Sequence, residues 1–337
     1  MGHTISELGE KELIRSIIKP LLNPDDDPNS VGDDCAAIPV GPDGFVCAST
    51  DRVPADLISF RLGIIGHRGL GYYLAVLNLS DLAAMGARPS GLLLNLGLPS
   101  NTLVDDLVAL LEGAKDACAE YGCRILGGDL SNSVELSLSA TSIGMVGQGK
   151  ILRRRGAKIG DLIFCADPIG MSATAFAYFL RAKPAGFRLT DPEEERLKDQ
   201  FRKPKARFDV ARSLSELGGA VAMDNTDGVG QTLSELAEIN RVRMRIDADA
   251  LPIHELSRKI GDSLGTDAIE IALSAGADFQ LVGTVRRDAS LTSLPSDLRI
   301  IGEVAAGEGV TVAHGRSEEI LQIKGWNYFA PAEGKLP

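Results

Sequence analysis

Five short stretches place aspartate where ordinary surface chemistry does not explain it. In Asn78-Leu79-Ser80-Asp81-Leu82-Ala83-Ala84-Met85-Gly86-Ala87, the carboxylate of Asp81 interrupts an apolar run that begins at Leu74. A carboxylate set against a core is costly unless it is paired or holds a metal. Asp33 and Asp34 follow Val31-Gly32, Asp51 follows Ser49-Thr50, and Asp129 follows Gly127-Gly128. Asp224 and Asp227 flank Asn225-Thr226 just ahead of Gly228. Short carboxylates with hydroxyl and carbonyl neighbours form the ligand set of hard cations, magnesium above all. Brought together, they repel one another unless a cation sits between them. Taken singly, each reads as a helix cap or a turn. Five of them, most at the end of an apolar strand-like run, do not reduce to turns.

The elements that would position them follow from periodicity. Residues 35–40 and 45–50 read as two strands across the turn Gly41-Pro42-Asp43-Gly44, which makes Asp33, Asp34 and Asp51 neighbours at one end of a hairpin. A helix over 66–84 carries Asp81, and Gly86 ends it. A strand at 92–98 precedes a helix with Val104, Leu107, Leu111, Ala114, Cys118 and Tyr121 on one face. A short strand at 124–126 delivers Gly127-Gly128-Asp129, and 135–144 alternates as a sheet-face strand. The order β-β-α-β-α-β-β predicts an α+β domain with helices on one face of its sheet. The uncovered face calls for a partner, and a homodimer is expected.

The turn Gly156-Ala157-Lys158-Ile159-Gly160-Asp161 marks a boundary, giving domains 1–155 and 156–337. In the second, 162–166 reads as a strand, 172–180 as an apolar helix and 183–205 as a charged surface excursion. A helix at 206–217 precedes a buried strand at 220–223 that ends at Asp224. The helix at 229–240 starts right after Thr226-Asp227-Gly228, so its backbone N–H groups and dipole suit a phosphate. Strands follow at 243–246, 279–285 and 298–304. Upstream of everything, 4–22 is a helical pattern broken by Pro20, and 23–30 is a solvated acidic loop.

Composition removes several classes. The chain has 337 residues, 44% hydrophobic and 24% charged, with net charge −11 and no basic block. Nucleic acid is therefore excluded as a partner. No apolar run approaches the ~20 residues of a membrane span, and the N-terminus has no signal-peptide pattern. Five cysteines without a CxxC read as small buried residues in a reducing cytoplasm, and four histidines without HExxH spacing argue against zinc. There is no P-loop, no GxGxxG after a strand and no kinase HRD or DFG set. A phosphate site here would rest on metal ions and positioning. Arg153-Arg154-Arg155 is the one local basic cluster, readable as a solvated turn or as a phosphate contact.

The stretches 31–36, 49–51, 78–87, 127–129, 155–161 and 224–228, with the tail Lys324-Gly325-Trp326-Asn327-Tyr328-Phe329, resemble thiamine-monophosphate kinase in the same order and nearly end to end. That family is grouped with the aminoimidazole ribotide synthetases. The resemblance implies an N-terminal α+β domain that binds metal and nucleotide and dimerises through its sheet, followed by a C-terminal α/β domain. It implies ATP and Mg2+ as cofactors and thiamine diphosphate biosynthesis as the role. It implies magnesium ligands at Asp34, Ser49, Thr50, Asp51, Asp81, Asp129, Asp224 and Asp227, with Asp81, Asp129 and Asp227 catalytic. ATP contacts fall at Gly128, Arg154 and Thr226, and substrate contacts at Ser59, Ala277 and Trp326.

Three motifs depart from the family pattern. TDTLVEGVHF becomes a segment ending Ile58-Ser59-Phe60, with serine for histidine. GGEDYEL becomes Ala275-Gly276-Ala277-Asp278-Phe279-Gln280-Leu281, with alanine for glutamate, and GGDTTRG becomes Gly127-Gly128-Asp129-Leu130-Ser131-Asn132-Ser133. The metal and ATP side is kept while the acceptor side changes, which disfavours a thiazolium cation. The expected activity is ATP- and Mg-dependent phosphoryl transfer with an acceptor that is open. A synthetase that activates a carbonyl oxygen and an inactive nucleotide-binding homologue are the alternatives.

Overall fold

Two twisted sheets, joined through one buried helix, hold the carboxylates. The computed structural model describes residues 4–166, 168–274, 276–289, 295–315 and 317–321. The chain opens with α1 (Ile5–Leu8), α2 (Glu10–Leu13), a π-turn at Ile14–Ile18 and α3 (Lys19–Leu22). Pro20 falls in the first turn of α3, where its missing N–H is harmless, so it does not break the segment.

The first sheet takes β1 (Ala36–Pro39), β2 (Gly44–Arg52), β3 (Arg88–Leu98), β4 (Arg124–Asn132) and β5 (Ser137–Gly147) in the order β1-β2-β5-β3-β4. β1 and β2 form the expected hairpin. Only β3 and β4 are parallel, and such a pair needs a crossover. It is supplied by α6 (Val104–Glu120), which lies beside α5 (His67–Ala84); the short α4 (Ile58–Arg61) leads into α5. The two long helices meet backbone to backbone. A Cβ on Gly71 would stand 1.8 Å from the Leu110 carbonyl oxygen, and one on Gly113 would stand 1.8 Å from that of Arg68.

The second sheet contains β6 (Leu162–Ala166), β7 (Val221–Asp224), β8 (Arg243–Asp247), β9 (Leu281–Val285), β10 (Leu298–Ala305), β11 (Gly309–His314) and β12 (Ser317–Ile320), in the order β12-β11-β8-β10-β6-β9-β7. Its neighbours are antiparallel except β8 and β11. Around it lie α7 (Met171–Ala177), α8 (Asp191–Arg202), α9 (Phe208–Leu217), α10 (Val229–Asn240), α11 (Glu255–Leu264) and α12 (Ala268–Ser274).

Why α5 is apolar all round is now plain. It is buried from Leu70 to Ala84 except at Tyr72. One side faces the first sheet and α6, while its end, Ala83 and Ala84, shares a core with Phe164, Ala166, Ala222 and Leu281 of the second sheet. A helix enclosed by three layers needs no polar stripe.

Several sequence expectations change. The excursion at 183–205 contains α8, started by a Thr190–Glu193 capping box and held down by buried Leu197 and Phe201. The strand at 124–126 runs on to Asn132, so Gly127-Gly128-Asp129 lies within β4 rather than after it. The strand expected at 279–285 begins at Leu281, because Phe279 has φ 54°. The loop at 23–30 is tied down: the Asn23 amide donates to the Asp27 and Val31 carbonyls, both at 3.0 Å, and the Arg153 guanidinium reaches Asn29 at 2.7 Å.

Candidate metal and phosphate site

Asp34, Asp81 and Asp224 each present a carboxylate oxygen within 4.8 Å of the other two. They arrive from three places: the approach to β1, the last turns of α5 and the end of β7. All three are buried. Desolvation drives the Asp81 carboxyl well above the ordinary carboxylate range, and the neighbouring charges of Asp224, Asp51 and Asp34 push it further. Burial raises Asp224 and Asp34 in the same way. Asp34 Oδ2 and Asp224 Oδ2 have no hydrogen-bond partner among the described residues. Enclosed, mutually repelling carboxylates with two such oxygens left unanswered are what a divalent cation would satisfy, and the ligand set is all oxygen.

Hydrogen bonds from β2 hold the cluster in place. Ser49 Oγ donates to Asp81 Oδ2 at 2.5 Å, and the Asp51 backbone N–H donates to the Asn78 side chain at 2.9 Å. Asn78 is anchored in turn on the Leu74 carbonyl at 2.9 Å. Asp51 joins the electrostatics of the cluster, its pKa raised by burial first and then by the Asp34 charge. Because strand side chains alternate, Thr50 points to the other side, where its hydroxyl donates to the Ala140 carbonyl at 2.9 Å. The Thr50 hydroxyl is thus separated from the cluster that its neighbours serve.

Basic charge enters from Arg153-Arg154-Arg155, of which Arg153 and Arg154 are half-buried and Arg155 is exposed, and all three are paired. Arg154 Nη2 donates to Asp34 Oδ1 at 2.7 Å, and the Arg154 backbone N–H donates to Asp33 Oδ1 at 3.0 Å. Arg155 reaches Asp26 at 2.8 Å. Burial and the adjacent Asp34 charge bring the Asp33 carboxyl up to about 6. Arg154 Nε has no partner among the described residues, so one donor of the guanidinium is uncommitted.

Asn225-Thr226-Asp227-Gly228 joins β7 to α10. Its backbone is gripped by the loop before β9: the Ala277 N–H donates to the Thr226 carbonyl at 2.8 Å, and the Asn225 N–H donates to the Gln280 carbonyl at 2.7 Å. Gly276 is required there, since a Cβ would come within 1.6 Å of the Thr226 oxygen. Asp227 is raised by burial and by Glu235.

Other expected residues lie elsewhere. Asp129 is exposed on β4 opposite Asn95, and is not one of the three clustered carboxylates. Gly128 has φ 155°, and a Cβ there would stand 1.9 Å from the Leu94 oxygen, so it permits the β3–β4 approach. Ser59 is 1% exposed with its hydroxyl unpartnered among the described residues, so it does not face an open pocket. Ala277 is half-buried with φ 68°. Trp326 lies outside the described residues. A cavity of about 660 Å³ is lined by Phe176, Leu180, Arg181, Glu270 and Leu321 among others, and neither Ser59 nor Ala277 lines it.

Asp33, singled out in the sequence with Asp34, buttresses Arg154 instead of joining the trio. Two residues of interest escaped sequence reasoning. Asp278 is buried and accepts from the Gly170 and Ser172 backbone N–H groups at 2.6 and 2.8 Å. Glu235 faces Arg154 from α10 at 3.6 Å. Asp227 lies ahead of α10, so no helical spacing marks Glu235 in the sequence.

Comparison with known proteins gives the family and the fold. The family described as AIR synthase related protein matches with its N-terminal domain at residues 32–146 and its C-terminal domain at 158–315. Thiamine-monophosphate kinase of Pyrococcus horikoshii is 30% identical over 96% of this chain and 97% of its own length. That of Synechococcus elongatus is 31% identical over 97% and 98%. A solved structure of AaThiL complexed with AMPPCP and TMP superposes with a TM-score of 0.84 at 27% identity, covering 97% of this chain and 99% of that one. Crystalline HypE of E. coli, at 20% identity and TM-score 0.67, shares the fold.

Proposed function

The chain belongs to the thiamine-monophosphate kinase family of the AIR synthase related proteins, and from that premise we propose that it transfers a phosphoryl group from ATP to thiamine monophosphate. It is an ATP-dependent kinase, and magnesium is its metal. The observation that carries the site assignment is the trio Asp34, Asp81 and Asp224, whose buried carboxylates converge with Asp34 Oδ2 and Asp224 Oδ2 lacking any donor among the described residues.

Magnesium bound there would neutralise and orient phosphate oxygens. Asp34, Asp81 and Asp224 would hold it, with Asp51 beside them and Ser49 fixing the Asp81 carboxylate. Arg154, paired with Asp34 at the edge of the trio, would supply positive charge to a phosphate, and the backbone N–H groups at the start of α10, after Thr226 and Asp227, would add donors. In phosphoryl transfer the protein mainly positions and neutralises, and these residues supply both.

We place the domain division at 155/156, between the arginine cluster and the turn into β6. We also propose a homodimer built on the first sheet. Ile38, Leu93, Leu126 and Met145 of that sheet are exposed, and a second copy would cover them. A second copy laid there would also enclose Thr50 and Asp129. A monomer by light scattering at micromolar concentration would contradict this.

The acceptor is tested by ADP release with ATP, magnesium and thiamine monophosphate, followed by phosphorus NMR of the product. The expected product is thiamine diphosphate. Intact ATP binding with no acceptor-dependent ADP release would remove thiamine monophosphate from the assignment.

A further inference from the structure

We infer that Glu235 is a positioning residue for nucleotide binding: it holds the Arg154 guanidinium while Asp34 turns to a cation. The inference rests on the metal and ATP reading above.

Arg154 stands between two carboxylates. Its Nη2 donates to Asp34 Oδ1 at 2.7 Å, and its Nη1 lies 3.6 Å from Glu235 Oε2. The Asp34 carboxylate cannot give its full charge both to a cation and to this arginine. The Arg154 backbone is fixed on both sides: its N–H donates to Asp33 at 3.0 Å, and its carbonyl accepts from the Asn240 amide at 2.8 Å. Only the side chain is free to redistribute, and Glu235 is the second carboxylate in ion-pair range.

Glu235 is itself held for this task. Its Oε1 accepts from Gln231 Nε2 at 3.2 Å, one turn earlier on α10, and lies 3.1 Å from Lys11 Nζ on the N-terminal helical segment. Oε2 is left for Arg154. Lys11 and Arg154 therefore share one carboxylate, and the N-terminal segment is coupled to the nucleotide side of the site. Once Asp34 is engaged by a cation, Glu235 keeps the guanidinium from swinging away. The positive charge then stays beside the phosphates.

The test uses the full chain and manganese(II) as a paramagnetic probe, followed by calorimetry with ATP at saturating manganese. Glu235→Gln is expected to weaken manganese binding roughly three- to tenfold, because Arg154 then rests on Asp34 alone. ATP affinity falls by a similar factor, whereas kcat at saturating ATP changes less than twofold. Glu235→Asp restores part of both. Lys11→Gln is expected to leave manganese affinity equal or higher, since Arg154 no longer shares the carboxylate. A purely structural Glu235 would lower the melting temperature without moving either binding midpoint. That result, or midpoints within twofold of wild type in Glu235→Gln, overturns the inference. A wild-type chain that binds neither manganese nor ATP would instead sink the functional reading on which it rests.

Discussion

Asp278 and Asp81 are the same residue, equally enclosed, and do opposite things. Both oxygens of Asp278 meet backbone N–H donors at the start of α7, and Ser172 Oγ donates to the Ala277 carbonyl alongside at 2.9 Å. Its carboxyl is pushed by burial only to about 6. Asp81 has one hydroxyl donor, Ser49, and faces three other carboxylates. Burial alone therefore does not mark a working carboxylate. Unanswered negative charge does, because the fold pays for it and gets nothing back until a cation arrives.

The sharpest way to break that contrast is to remove one charge from each site. Asp81→Asn is expected to lower turnover by at least ~10³-fold, since one ligand and one charge are lost from the metal site. In EDTA its melting temperature should hold or rise, because repulsion and desolvation are relieved. Asp278→Asn should do the reverse. The new amide sets a donor against a backbone donor, costing roughly 1–3 kcal/mol in urea denaturation, with a smaller effect on turnover. An Asp81→Asn enzyme of near-normal rate would return Asp81 to a structural role.

A second test uses protons. Asp224 is held at about 8 by burial and by Asp34, well above its ordinary 3.8. The folded state thus keeps a proton that the unfolded chain releases. Without metal, the stability this group contributes is present at low pH and lost as pH rises from about 4 toward 8. Magnesium binding needs the carboxylates bare. The rise in melting temperature with magnesium over EDTA should therefore be larger at pH 8.5 than at pH 6. Equal shifts at the two values would mean that the cation binds elsewhere.

The smallest expected effect is on the acceptor side. Ser59 is too enclosed to become histidine without overpacking, so only Ala277 is a fair target. Ala277→Glu supplies a carboxylate toward a cationic heterocycle and should lower KM for thiamine monophosphate by up to ~10-fold. An unchanged KM would show that residue 277 does not meet the acceptor.

Much of this was legible beforehand because burial and charge conflict in the sequence itself. Asp81 stands in an unbroken apolar helix, and Asp224 ends an apolar strand. The hairpin announced itself through its turn. What stayed hidden was structure specified by a partner rather than by pattern. β4 shows no alternation because its glycines serve the backbone of β3. α8 hides two buried residues among charges, although Thr190 and Glu193 signalled its start. Ser59 reads as a pocket residue by alignment with a motif, but its environment closes over it. Glu235 carries no local mark at all, since its meaning lies in Arg154, far earlier in the chain.

The trio is also gathered from distant parts of the chain: one carboxylate before the first strand, one at the end of α5, one at the end of β7. None of the three can feel the others until both sheets have docked on α5. A cation held there is therefore a late bond in folding, absent from any early nucleus. Magnesium should slow unfolding in denaturant-jump measurements while leaving the refolding rate nearly untouched. In the cell that is a clock: it prolongs the life of the assembled enzyme without hastening its assembly.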